Sequence, residues 1–114
     1  MKNTDAIVQD LRMLIDRELV RANRLHGPYL HNEHEAIAVL GEEVDEAHDE
    51  MRWLSMEMSN LWDAVKGDYA DVERVEPVQR CAENLAAEAI QVIAMCEKWK
   101  MNADRWEGEY ENNI

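Results

Sequence analysis

Apolar residues recur along this chain at helical rather than strand spacing, and three stretches carry the pattern. The first, about residues 4–25, places Ile7, Leu11, Leu14, Ile15, Leu19 and Ala22 on one face, and Gly27-Pro28 ends it. The second opens at Asn32, a good N-cap, with Glu35 at the third helical position to complete a capping box. From there Ile37, Leu40, Val44, Ala47, Met51, Leu54, Met58, Leu61 and Val65 follow in alternating steps of three and four, an unbroken heptad seam that stops before Gly67. So long a helix allows a kink near Met51–Trp53, which would make a fourth helix. Beyond a mostly polar connector, Pro77 suits the first position of a third helix, with Val78, Ala82, Leu85, Ala89, Val92, Cys96, Trp99 and Ala103 as its seam.

Residues 105–114 show no clear face and read as a C-terminal tail, leaving 1–104 as a single domain. The pattern therefore predicts an all-α protein, an antiparallel helical bundle. Apolar residues off the seams, among them Val39, Trp53, Trp62, Ile90 and Met95, imply helices covered on more than one side. Three helices do that poorly alone, so a homodimer or higher homo-oligomer is expected to complete the bundle.

Charge narrows the partners. With 25 acidic against 12 basic residues the net charge is −13, which argues against nucleic acid and anionic membrane as partners. Residues 1–30 are nearly neutral, with Arg12, Arg17, Arg21 and Arg24 on the first helix, so the acidity lies in the remainder. An anionic small molecule delivered with a divalent cation stays compatible with such a chain. No apolar run reaches the roughly 18 residues of a membrane span, and no signal peptide is visible at the start. Cys81 and Cys96 share one helix too far apart to bridge, and free thiols suit a cytoplasmic location.

The most informative stretch is Glu42-Glu43-Val44-Asp45-Glu46. With Leu40 and Ala47 at heptad position d, Glu43 falls at g and Glu46 at c, neighbours on the flank of the seam. The same lettering on the third helix puts Glu88 at g and Gln91 at c. Two helices thus offer matching oxygen pairs at a half-buried boundary, where like charges repel and raise carboxyl pKa values. A hard cation relieves that repulsion, and an all-oxygen set points to Mg²⁺ or Mn²⁺ rather than zinc.

The segment from His34-Glu35-Ala36 to Glu42-Glu43-Val44-Asp45-Glu46, with Glu88-Ala89-Ile90-Gln91 later, resembles the signature of MazG-like all-α nucleoside triphosphate pyrophosphohydrolases. That signature pairs Glu-Glu-x-x-Glu on one helix with Glu-x-x-Asp on a later one. The resemblance covers roughly residues 24–100 and includes His26-Gly27-Pro28-Tyr29 before the first motif. Two departures stand out: Gln91 takes the usual place of Asp, and Ala47–Asn60 reads as an insertion of about two heptads. The resemblance implies Mg²⁺, or Mn²⁺, held by Glu43, Glu46, Glu88 and Gln91, with Glu42, Glu43 and Glu46 as the catalytic carboxylates and Glu42 or another nearby carboxylate orienting water. It implies hydrolysis of a (deoxy)nucleoside triphosphate to the monophosphate and pyrophosphate. Arg17, Arg21 and Arg24, or Lys66, are then candidates for phosphate contact, and Tyr29, Trp53 or Trp62 for stacking on the base. The uncharged Gln91 also suits an alternative, a non-catalytic interaction or regulatory protein with a degenerate metal site.

Other chemistry finds less support. Asp45-x-x-His48 imitates half of a di-iron bundle site, but the third helix has no His to supply the other half. No Gly-rich phosphate loop is present.

Overall fold

A computed structural model describes residues 4–112, with side chains described for residues 5–107. It is all-α: helix α1 spans Thr4–His26, α2 Glu33–Lys66 and α3 Val72–Asn112, with no strand among the described residues. None of these helices is long and apolar enough to cross a membrane.

The helix ends follow from local chemistry. Helix α1 ends at Gly27, whose φ of 80° is open to glycine at no steric cost and whose N–H returns to the Asn23 carbonyl at 2.9 Å. Asn32 caps α2 by accepting the Glu35 N–H on its Oδ1 at 2.9 Å. The reciprocal bond expected of Glu35 is displaced by one residue, because its Oε2 accepts the N–H of His31 at 3.0 Å and lies 2.7 Å from His31 Nδ1. These bonds, the backbone one foremost, hold the Glu35 carboxyl below its ordinary pKa.

Helix α2 runs unbroken over 34 residues, so the expected kink does not divide it. Its end is a Schellman turn: the Tyr69 N–H reaches the Ala64 carbonyl and the Asp68 N–H that of Val65. The left-handed residue is Asp68, at φ 58°, and not Gly67. A Cβ at Gly67 would stand 2.7 Å from Cδ1 of the exposed Tyr69 ring, which would have to swing aside.

Helix α3 starts five residues before the expected Pro77, because Asp71 supplies a cap, its Oδ1 accepting the Arg74 N–H at 3.1 Å. Pro77 then lies inside the helix and leaves the exposed turn around Glu73 one N–H short, which water can supply. The expected tail is also corrected: α3 stays helical through 105–112, and residues 113–114 lie outside the described residues.

The chain divides into two compact units. One comprises α1, α2 as far as Glu43 and α3 from Ile90; its core is Ala22, Ala94 and Met95, with Leu19, Val39 and Leu40 packed against them. Polar groups of α3 fasten the α1–α2 loop in this unit. The Lys98 ammonium donates to the Gly27 carbonyl at 2.7 Å. Asn102 accepts the Leu30 N–H on Oδ1 at 3.2 Å and donates from Nδ2 to the Pro28 carbonyl at 3.2 Å. The Leu30 carbonyl accepts both Arg105 Nη2 at 3.0 Å and Trp106 Nε1 at 2.7 Å. Lys98 and Asn102 are each only 4% exposed, so these bonds satisfy groups that water cannot reach.

The other unit, Val44–Ala89, is a helical hairpin. Its inward stripe on α2 is Ala47, Glu50, Leu54, Glu57, Leu61 and Ala64, which are heptad positions d and g. Position a was expected to be covered as well. Instead Val44, Met51, Met58 and Val65 are exposed, as is Ile37 above them at 56%. Two helices meet along one stripe each, so a seam three columns wide keeps one column outside.

Replacing Asn102 by Ala leaves the buried Leu30 N–H and Pro28 carbonyl without their partner. Urea unfolding should show a loss of about 2 kcal/mol, against almost none for Asn84→Ala on the exposed face.

Candidate metal centre

Glu43 and Glu46 stand one turn apart on α2, and Glu88 comes from α3. Within the hairpin the d/g contact brings α3 position g against α2, which sets Glu88 beside Glu46; the uninterrupted α2 carries Glu43 one turn before Glu46. A carboxylate oxygen of each lies within 4.8 Å of one from each of the others. Glu43 and Glu88 are half-buried and Glu46 is exposed, so the group has a dry side and an open side.

The spacing fits a hard divalent cation. Two oxygens bound to Mg²⁺ at about 2.1 Å can be at most about 4.2 Å apart, and to Ca²⁺ at about 2.5 Å about 5 Å apart. Three oxygens each at that 4.8 Å limit stand about 2.8 Å from their common centre, so Ca²⁺ and Mg²⁺ are both reached by sub-ångström side-chain movement. Three carboxylates leave octahedral positions for water or a ligand oxygen. Acidic side chains also gather on helices without any ion.

Glu43 also lines a cavity of about 410 Å³ in the first unit, together with Glu42 and Gln91. The expected fourth ligand, Gln91, is thus half-buried one turn beyond Glu88 on α3, with its side chain at the wall that Glu43 shares. Arg21 is on the same wall, bonded to Glu18 at 2.6 and 2.9 Å. The Glu18 bond and charge raise the Arg21 pKa, and Glu43 adds to the effect.

The other substrate candidates separate. Tyr29 lines the cavity, with the Arg105 guanidinium 4.4 Å from its ring centre. Arg17 lies instead along an open groove on α1 with Val20 and Arg24. Lys66 is twenty residues beyond Glu46 on a continuous helix, about 30 Å away at 1.5 Å per residue. It pairs with Asp63 at 3.4 Å and sits over the Trp62 ring, so the expectation that it contacts a phosphate at these carboxylates is corrected. Trp53 and Trp62 are both more than half exposed and line no part of the cavity.

Lys98 was missed. It lines the cavity and is buried, and desolvation lowers its pKa although the charge of Glu35 opposes the shift. Lys98, Asn102, Arg105 and Trp106 are spaced i, i+4, i+7 and i+8, a polar stripe on an otherwise apolar helix face, and that spacing was the available signal.

The fold and this group define an all-α protein with a carboxylate cluster at a helix contact. No family model, no curated protein and no solved structure matches the chain.

Without a cation the three carboxylates repel. In chelator-containing buffer Glu46→Gln should therefore raise stability by about 0.5 kcal/mol, and millimolar Mn²⁺ should reverse the order relative to the unsubstituted protein. Thermal unfolding with and without Mn²⁺ checks both signs.

Proposed function

We propose that this protein is a Mg²⁺-dependent nucleoside triphosphate pyrophosphohydrolase of MazG-like type, acting in the cytoplasm on (deoxy)nucleoside triphosphates. The observation that carries the reading is the grouping of Glu43, Glu46 and Glu88, which come from the two motifs that resemble that family's signature. Glu43, Glu46 and Glu88 would hold Mg²⁺ or Mn²⁺, with the Gln91 amide oxygen as a neutral fourth donor. The ion would neutralise phosphate charge and lower the pKa of a bound water. Glu42, on the cavity wall beside Glu43, accepts the proton of the attacking water. The water oxygen bonds to one phosphorus of the α–β bridge as the bond from that phosphorus to the bridging oxygen breaks. Monophosphate and pyrophosphate result. Arg21, held by Glu18 at the rim, offers positive charge to the polyphosphate.

Pyrophosphate release from a panel of nucleoside triphosphates with Mg²⁺ or Mn²⁺ tests the reading. Turnover should fall at least about 100-fold in Glu43→Gln and in Glu46→Gln. Turnover that survives both substitutions would refute the site. Gln91 favours a second reading, a non-catalytic regulatory protein that keeps the fold. Binding of triphosphate and metal without pyrophosphate release would select it, and release gained in Gln91→Asp would tie the lost activity to that amide.

The proposal includes a homo-oligomer. The exposed column Ile37, Val44, Met51, Met58 and Val65 repeats every seven residues along α2, the spacing with which a second copy of the same helix can interlock. Sedimentation should give a multiple of 13.3 kDa for the native chain and 13.3 kDa for the Met51→Glu, Met58→Glu double variant. A native monomer would contradict it.

A further inference from the structure

The 410 Å³ cavity of the first unit has a lining that differs from the carboxylate group it adjoins. Its floor is apolar, formed by Ala22, Leu30, Val39 and Met95. Lys98 and Glu35 line the same cavity with opposite charges, Lys98 held at the Gly27 carbonyl and Glu35 at the His31 N–H, the two ends of the α1–α2 loop. Lys98 Nζ spends one N–H on the Gly27 carbonyl and has two more to give. Both bonds formed by Glu35 fall on Oε2, which leaves Oε1 to accept. The cavity has four acids, Glu18, Glu35, Glu42 and Glu43, against Arg21 and Lys98, so a free anion is disfavoured inside it. A flat, neutral ring with an acceptor and a donor side by side suits the floor and the wall together.

We propose that this cavity binds a nucleobase of the lactam type, with Lys98 donating to the ring carbonyl and Glu35 accepting the adjoining ring N–H. Guanine, hypoxanthine, uracil and thymine present that edge. Adenine and cytosine present an amino group beside a bare ring nitrogen, which sets donor against donor at Lys98. The volume admits a purine or a pyrimidine, so selection acts through hydrogen bonding rather than size. The bonds between α3 and the Gly27–Leu30 loop hold the cavity wall in place before the ligand arrives. That rigidity is what a donor–acceptor test of a base requires.

The inference rests on the nucleotide reading above, yet it is tested without phosphate or metal. Calorimetric titration of the full chain in chelator compares inosine with adenosine and uridine with cytidine, pairs that differ at the lactam edge. At least one lactam member should bind tenfold or more tightly than its amino counterpart, the expected scale for a mispaired buried charge. Lys98→Met should abolish the preference while Lys98→Gln, which keeps an N–H donor, retains part of it. Helical circular dichroism shows whether each variant is folded, and the native pairs decide the matter if one is not. Equal binding within both pairs, preference for the amino member, or no binding of any nucleoside would overturn the proposal. Lactam-selective binding without pyrophosphate release would leave the cavity assignment standing and remove the catalytic reading. Pyrophosphate release indifferent to the base would do the reverse.

Discussion

The contact between α2 and α3 along heptad positions d and g is the constraint on which the rest depends. Position d carries Leu40, Ala47, Leu54 and Leu61 on α2 and Leu85, Val92 and Trp99 on α3, an ordinary apolar stripe. Position g is different, because it mixes small or apolar residues (Ala36, Ala64, Met95) with carboxylates (Glu43, Glu50, Glu57, Glu88). Had a and d formed the contact, Glu43 and Glu88 would face water, where their repulsion costs little. With d and g inside, they sit half-buried and near one another, where repulsion is stronger and a cation gains more. The same choice expels position a. The charged group and the exposed apolar column are therefore two consequences of one packing decision.

A second device sets the shape of the first unit. Helix α3 adds a polar stripe there to its apolar one, and the polar stripe fastens the backbone of the Gly27–Leu30 loop. Because these bonds go to backbone carbonyls and N–H groups, the side chains of Tyr29 and Leu30 take no part in them. Tyr29 can then remain on the surface while Leu30 is buried, at 3% exposure. The loop and Lys98 together give the cavity a defined wall.

Helix number and most helix ends were legible in the sequence, since Asn32, Gly27 and the heptad steps act locally. The start of α3 was less so: Pro77 is a strong signal for a first turn, and Asp71, a weaker one, captured it. The end of α3 was missed because periodicity was sought in apolar residues, whereas Arg105 and Trp106 anchor it by hydrogen bonds. Heptad lettering placed Glu43, Glu46 and Glu88 on facing flanks, and their oxygens do approach one another. The lettering cannot say which two of three columns face inward, so Ile37 and Met58 were expected inside. Lys66 failed for a simpler reason: charge type suggested a phosphate contact, while its distance along a continuous helix decides against one.

On the proposed reading, the d/g contact makes Glu43, Glu46 and Glu88 one divalent-cation site. Titration of the metal-free chain with Mn²⁺, followed by the loss of the free-ion electron paramagnetic resonance signal, addresses it most directly. One Mn²⁺ should bind per chain, displaced by Mg²⁺, with at least about tenfold weaker binding in Glu88→Gln and no change in Glu57→Gln. Binding equally affected by both substitutions, or absent from the native chain, would contradict it.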